Sequence, residues 1–149
     1  VVACDLSPRC LELAQQMGAT AVMDPRDEKR SAYYQQNRGY FDIVFEASGA
    51  PAAIASTVDF TRPTGTIVQV GMGVSPITWP VSAMLVKEIN LVGSFRFIDE
   101  FTIAVRWLED GRINPRPLIS AEFSPASIEQ ALITAADKNI SAKVLIRFE

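Results

Sequence analysis

Short apolar runs and helical stretches alternate along most of this chain, and that alternation narrows the possible fold more than any other feature. The runs VVAC (1–4), ATAVM (19–23), IVFE (43–46), TIVQV (66–70) and INLVGSF (89–95) have the length of strands, and several close on an acid or on small residues. Between them lie helical patterns. Ser7 as N-cap and Pro8 at the first helical position open a helix with Leu11, Leu13, Ala14 and Met17 before Gly18 stops it. Polar residues 28–38, small residues 51–60 and a short stretch through Met84 and Lys87 supply three more helices, and 98–110 reads as amphipathic, with Phe101, Ala104, Val105 and Leu108 on one face. Strands in this rhythm pair in parallel through right-handed crossovers, and runs such as IVFE suit strands covered on both faces. The expected class is α/β, a doubly wound parallel sheet.

Beyond Gly111 the pattern changes. Residues 113–117 hold two prolines, 118–123 read as a strand, 124–138 as a helix and 143–148 as a final strand. We place a boundary here, with residues 1–112 as one domain and 113–149 as a C-terminal segment that packs on a different one. The chain has 149 residues, 48% hydrophobic and 21% charged, so a core that buries about 70% of the unfolded surface is within reach. A net charge of −3 with scattered basic residues offers no footprint for nucleic acid. No apolar run reaches the roughly 18 residues of a membrane span, and no signal-peptide pattern opens the chain, so a cytoplasmic protein is expected. Cys4 and Cys10 have neither zinc-knuckle nor disulfide spacing, and Trp79 and Trp107 read as core or subunit-contact residues. The absence of histidine excludes a His-dependent base or triad and most catalytic zinc sites within these residues.

The first strand ends in Asp5. In dinucleotide-binding folds an acid at the tip of the second strand accepts hydrogen bonds from the adenosine ribose hydroxyls, about 20 residues after a glycine-rich phosphate loop. That loop is not in the chain, and no Met initiates the first strand, so the sequence reads as part of a longer protein. A sheet without its first strand leaves two apolar edges, beside the second and fourth strands, without a partner. Glu46, a carboxylate inside an apolar strand, needs a hydrogen-bonding partner, and a neighbouring backbone turn or that first strand would supply it.

The segments VVACDLSPRCLELAQQMGA, FDIVFEASGAPAA, GTIVQVGMG, KEINLVGSFRF and AKVLIRFE together resemble the zinc-dependent medium-chain alcohol dehydrogenases, in their polyol branch. Within that branch KEINLVGSFRF, DEFTIAV, GRINPRPLI and AADK are similar in order to the idonate dehydrogenases. The resemblance implies an incomplete Rossmann-type sheet lacking its first strand and glycine-rich loop, followed by a tail returning to the catalytic domain. It implies oxidation of a polyol or sugar acid, L-idonate foremost, with NAD as cofactor in preference to NADP. Zinc would be held by ligands outside this chain, which therefore carries no catalytic residue of its own and would be inactive by itself.

Among the site residues so implied, Asp5 takes the ribose and repels the extra phosphate of NADP. Arg9 stands one place before the family's adenine-side arginine, a position Cys10 occupies here. Ala47, Ser48 and Gly49 let the cofactor approach one strand end, while Val70, Gly71 and Met72 lie along the nicotinamide ribose and carboxamide. Ser94 and Phe95 contact the nicotinamide amide, and Arg96 faces the substrate, where its fork suits a carboxylate. Phe97 stands where sorbitol dehydrogenases carry Tyr. The implied partners are a small-molecule polyol or sugar acid and further copies of the protein, a dimer or tetramer formed through the last sheet strand. Three other readings stay open: a zinc-free reductase of the quinone-reductase type, a methyltransferase, and a non-catalytic nucleotide-binding module.

Overall fold

The computed structural model describes residues 1–73 and 76–148. The segment 74–88, which leads from the run ending at Val70 into the helix through Met84 and Lys87, includes two positions, Val74 and Ser75, that lie outside the described residues. The elements run β1 (Val2–Cys4), α1 (Pro8–Gln16), β2 (Ala21–Met23), α2 (Glu28–Gln35), β3 (Phe41–Glu46), α3 (Pro51–Phe60), β4 (Thr61–Gln69), α4 (Val81–Lys87), β5 (Asn90–Gly93), α5 (Glu100–Glu109), β6 (Ile119–Phe123), α6 (Ile128–Ala136) and β7 (Lys143–Ile146). Every strand pairing among the described residues is parallel, and the class is α/β as the alternation requires. The strands form three ladders, β1–β2, β3–β4–β5 and β6–β7. The chain divides into two compact units, residues 28–97 and residues 1–27 with 98–149.

The 28–97 unit is built on the β3–β4–β5 ladder. Helix α3 covers β3 and β4, and the best-buried side chains, Ile54, Val58 and Ile67, sit at 0%, 1% and 0% exposure. Two threonines share that interior without cost. Thr57 Oγ1 donates to the Ile54 carbonyl at 2.6 Å and Thr61 Oγ1 to the Thr57 carbonyl at 2.7 Å, so each buried hydroxyl is satisfied by the turn before it. Lys87, in the last turn of α4, reaches the end of α3, where its Nζ donates to the carbonyls of Val58 at 2.6 Å and Thr61 at 3.1 Å. A cation on orphaned C-terminal carbonyls is a favourable cap. Tyr34, Tyr40 and Phe41 pack with ring centroids 5.0–5.2 Å apart, joining α2 to the entry of β3.

One element differs from expectation. β4 begins at Thr61, directly after α3, rather than near residue 66, and it runs through Pro63 and Gly65. Its register against β3 slips, from Phe41 opposite Thr61 to Ile43 opposite Thr66. The segment between is a bulge, with Thr64 at φ +61°. Proline and glycine, residues that commonly end a helix, here absorb extra residues within a strand.

In the other unit α1 packs against β1 and β2, and α6 against β6 and β7. Ser7 Oγ accepts from the Cys10 amide and Pro8 occupies the first turn, as the sequence predicts. Arg26 chelates the Asp24 carboxylate and also donates to the Leu6 carbonyl at 3.0 Å, tying the loop after β2 to the loop after β1. The interior is thin: Met23 and Ala131 are its buried apolar side chains among the described residues. The amphipathic face expected of 98–110 does form on a helix, but Phe101 is 56% exposed and Leu108 45%. Its stripe is therefore left largely uncovered.

Candidate nucleotide-binding site

The tips of β3, β4 and β5 gather most of the residues singled out in the sequence. β3 ends at Glu46, directly opposite Gln69 at the end of β4, because the two strands pair in parallel and finish level. The Glu46 side chain turns inward and is 4% exposed. Its Oε1 accepts from the Ser48 amide at 2.9 Å and from Ser48 Oγ, and its Oε2 accepts from the Gly49 amide at 3.0 Å and Gln69 Nε2 at 2.7 Å. The second N–H of the Gln69 amide goes to the Gly71 carbonyl at 2.7 Å. On the main chain, the Glu46 carbonyl accepts from the Val70 and Gly71 amides at 2.8 and 2.9 Å. One residue thus holds both strand-end loops.

The loops meet backbone to backbone. Gly49 has φ +70°, and a Cβ there would land on the Met72 carbonyl. A Cβ on Gly71 would fall on the Gly49 amide nitrogen and 2.7 Å from Glu46 Oε2. Glycine is required at both positions, at Gly49 by conformation and packing and at Gly71 by packing alone. Around this buried seam the residues Ala47, Ser48, Val70 and Met72 are exposed and form an open lip. Ser94 joins it, its amide donating to the Gln69 carbonyl at 2.9 Å. Phe95 and Arg96 follow, both exposed. Arg96 holds φ +60° and lays its guanidinium 5.0 Å over the Phe95 ring, a cation–π contact.

Electrostatically, burial pushes the Glu46 carboxyl up. The hydrogen bonds from Ser48, Gly49 and Gln69 pull it down by more, and it rests below its ordinary value. It is a charged structural acceptor at neutral pH. The sequence asked for a partner for Glu46 and found the neighbouring turn, but it missed Gln69. Aligning the ends of FDIVFE and TIVQ as level parallel strands would have revealed it.

Asp5 and Arg9 belong to the other unit. Asp5 lies exposed just past β1, its amide bonded to the Met23 carbonyl at 3.2 Å and its Oδ1 accepting from the Ser7 amide at 2.8 Å. It orders the turn into α1 while its carboxylate stays open to solvent. Arg9 points elsewhere: its guanidinium donates to Ser120 Oγ on β6 at 3.0 Å, and the same hydroxyl accepts from the Ala142 amide. Among the described residues no group of three or more His, Cys, Asp or Glu could hold a metal ion, so the residues here do not make a zinc site. Nor, among them, is any helix long and apolar enough to cross a membrane.

Strand tips with glycine-lined loops, level at one end of a parallel sheet, mark where open α/β proteins receive ligands. Residues 1–110 match the zinc-binding dehydrogenase family. The chain belongs to that family. L-idonate 5-dehydrogenase (NAD(P)(+)) of Escherichia coli K12 is 43% identical over 148 residues, which is 99% of this chain and 43% of that protein. D-xylulose reductase A of Aspergillus oryzae is 36% identical over 139 residues, 88% of this chain and 38% of the relative. The crystal structure of the Escherichia coli L-idonate 5-dehydrogenase superposes with a TM-score of 0.94 at 44% identity, over 99% of this chain and 42% of that one. The chain spans less than half the length of these relatives, and its parallel strands correspond to the Rossmann region of zinc-binding dehydrogenases.

Proposed function

We propose that this chain is the cofactor-binding part of an NAD-dependent, zinc-dependent secondary-alcohol dehydrogenase that oxidises a polyol or sugar acid, with L-idonate as the substrate best supported. The observation that carries the proposal is the 43% identity to an L-idonate 5-dehydrogenase, sustained over 148 residues. The exposed lip of Ala47, Ser48, Val70 and Met72 at the strand tips supports a nucleotide docking there. In this reading residues 1–112 hold the cofactor and residues 113–149 return to the catalytic domain.

Each residue then has a task. Asp5 binds the adenosine ribose and disfavours the 2′-phosphate of NADP, with Arg9 nearby in sequence on the adenine side. Ala47, Ser48 and Gly49 let the cofactor approach the strand end, Val70, Gly71 and Met72 lie along its nicotinamide ribose and carboxamide, and Ser94 and Phe95 bond its amide. NAD, when bound, supplies the hydride acceptor. Arg96 offers its fork to the carboxylate of a sugar acid, and its exposed, left-handed position supports that assignment. Zinc would be ligated outside this chain, and the open edge of β5, with Leu91 and Val92 exposed, would join copies into a dimer or tetramer.

The test is a spectrophotometric assay of the full-length protein with NAD or NADP against L-idonate, sorbitol and xylitol, with metal analysis in parallel. Turnover of L-idonate with NAD, abolished by chelation and restored by zinc, is the expected result. A preparation that turns over quinones without bound metal would overturn it.

A further inference from the structure

Glu46, 4% exposed, is the one buried charged side chain among the described residues, and its carboxylate bonds Ser48 and Gly49 in the loop after β3 and, at the end of β4, Gln69, whose amide in turn holds the Gly71 carbonyl. We propose that Glu46, with Gln69, is a positioning residue for the nicotinamide half of the cofactor, acting by clamping loop 47–49 to loop 71–73. This rests on the nucleotide reading given above and names a residue beyond those assigned to touch the ligand.

The geometry gives the clamp a single setting. Both N–H groups of the Gln69 amide are committed, one to Glu46 Oε2 and one to the Gly71 carbonyl, each at 2.7 Å. Turning that amide over would set its oxygen against two acceptors. Its Oε1 meanwhile is buried without a partner, so nothing on the acceptor side competes for its orientation. Glu46 in turn accepts from Ser48 and Gly49, and it is the Gly49 backbone that meets Met72 and Gly71 across the seam. A neutral glutamine at position 46 cannot replace it. Wherever its NH2 is placed, that group faces a donor, the Ser48 amide at the Oε1 position or Gln69 Nε2 and the Gly49 amide at the Oε2 position. Either placement removes a bond of the clamp.

The clamp and a merely structural role separate by ligand. AMP carries only the adenosine half assigned to Asp5, whereas NADH carries both halves. Dissociation constants for NADH and AMP are measured by fluorescence and calorimetry on the full-length protein, as wild type, Glu46→Gln and Gln69→Met, with amide hydrogen exchange of the ligand-free forms. The clamp predicts NADH weakened at least tenfold, AMP unchanged within twofold, and faster exchange at Ser48 and Gly49 in Glu46→Gln. Equal weakening of NADH and AMP, or no weakening of either, would overturn it. If Glu46→Gln does not fold, Gln69→Met decides by the same comparison. A wild-type protein that binds no NADH refutes the nucleotide reading and the clamp with it, a result visible before any variant is made.

Discussion

Gly71→Ala should be among the costlier single-methyl additions possible in this chain. Gly71 has no unusual φ to lose, so the penalty is purely one of space. The new Cβ would sit 2.7 Å from Glu46 Oε2 and 2.8 Å from the Ala47 carbonyl carbon, and closer still to the Gly49 nitrogen. Ordinary contact needs about 3.5 Å. All three neighbours are backbone or a hydrogen-bonded carboxylate, so none can swing aside, and the loops must separate by more than an ångström at the closest point. Overpacking of this kind costs about 1–3 kcal/mol. Stretching one charge-assisted bond between Glu46 and Gly49 adds about 1 kcal/mol. The sum is about 2–4 kcal/mol, read as ΔΔG from urea unfolding. Gly93→Ala is the reference, because a Cβ there meets nothing within 4 Å and should be neutral or stabilising by up to about 1 kcal/mol. If the two variants unfold at the same urea concentration, the seam is not packed as described.

Three further perturbations bear on the same unit. The stability difference between wild type and Glu46→Gln should be full above pH 4.5 and should shrink as pH falls, because a carboxyl held below its ordinary value stabilises the fold only while ionised; urea unfolding at pH 7, 5 and 3 checks this, and a gap that widens on acidification contradicts it. Ile54→Ala, at 0% exposure, should cost about 2–5 kcal/mol, whereas Leu85→Ala, at 77% exposure, should stay within about 0.5 kcal/mol in the same experiment. Lys87→Met keeps the stem but removes the cap on the Val58 and Thr61 carbonyls, and a loss of about 1–3 kcal/mol is expected, with faster amide exchange at the end of α3.

Much of this fold was legible because its signals are local. The caps at Ser7 and Pro8, the helix over Pro51–Phe60 and the apolar strands need only neighbours in sequence to be recognised. The boundary of β4 was not legible in the same way. Pro63 and Gly65 have the same local preferences in a bulged strand as in a loop, and only pairing with β3 distinguishes the two. The apolar stripe of α5 shows the opposite limit: periodicity announced a face to be covered, and nothing in periodicity says what covers it.

For the site, the sequence by itself determined that small and acidic residues cap parallel strands and that Glu46 could not stay without a partner, since composition and alternation settle which groups sit at strand ends. Tertiary structure alone decided that Gln69 completes the clamp, that Gly49 and Gly71 touch, and that Arg9 bonds Ser120 rather than standing free. Each of those contacts joins segments set by strand register or helix packing, and register is a property of two chains of residues side by side, which no single stretch of sequence encodes.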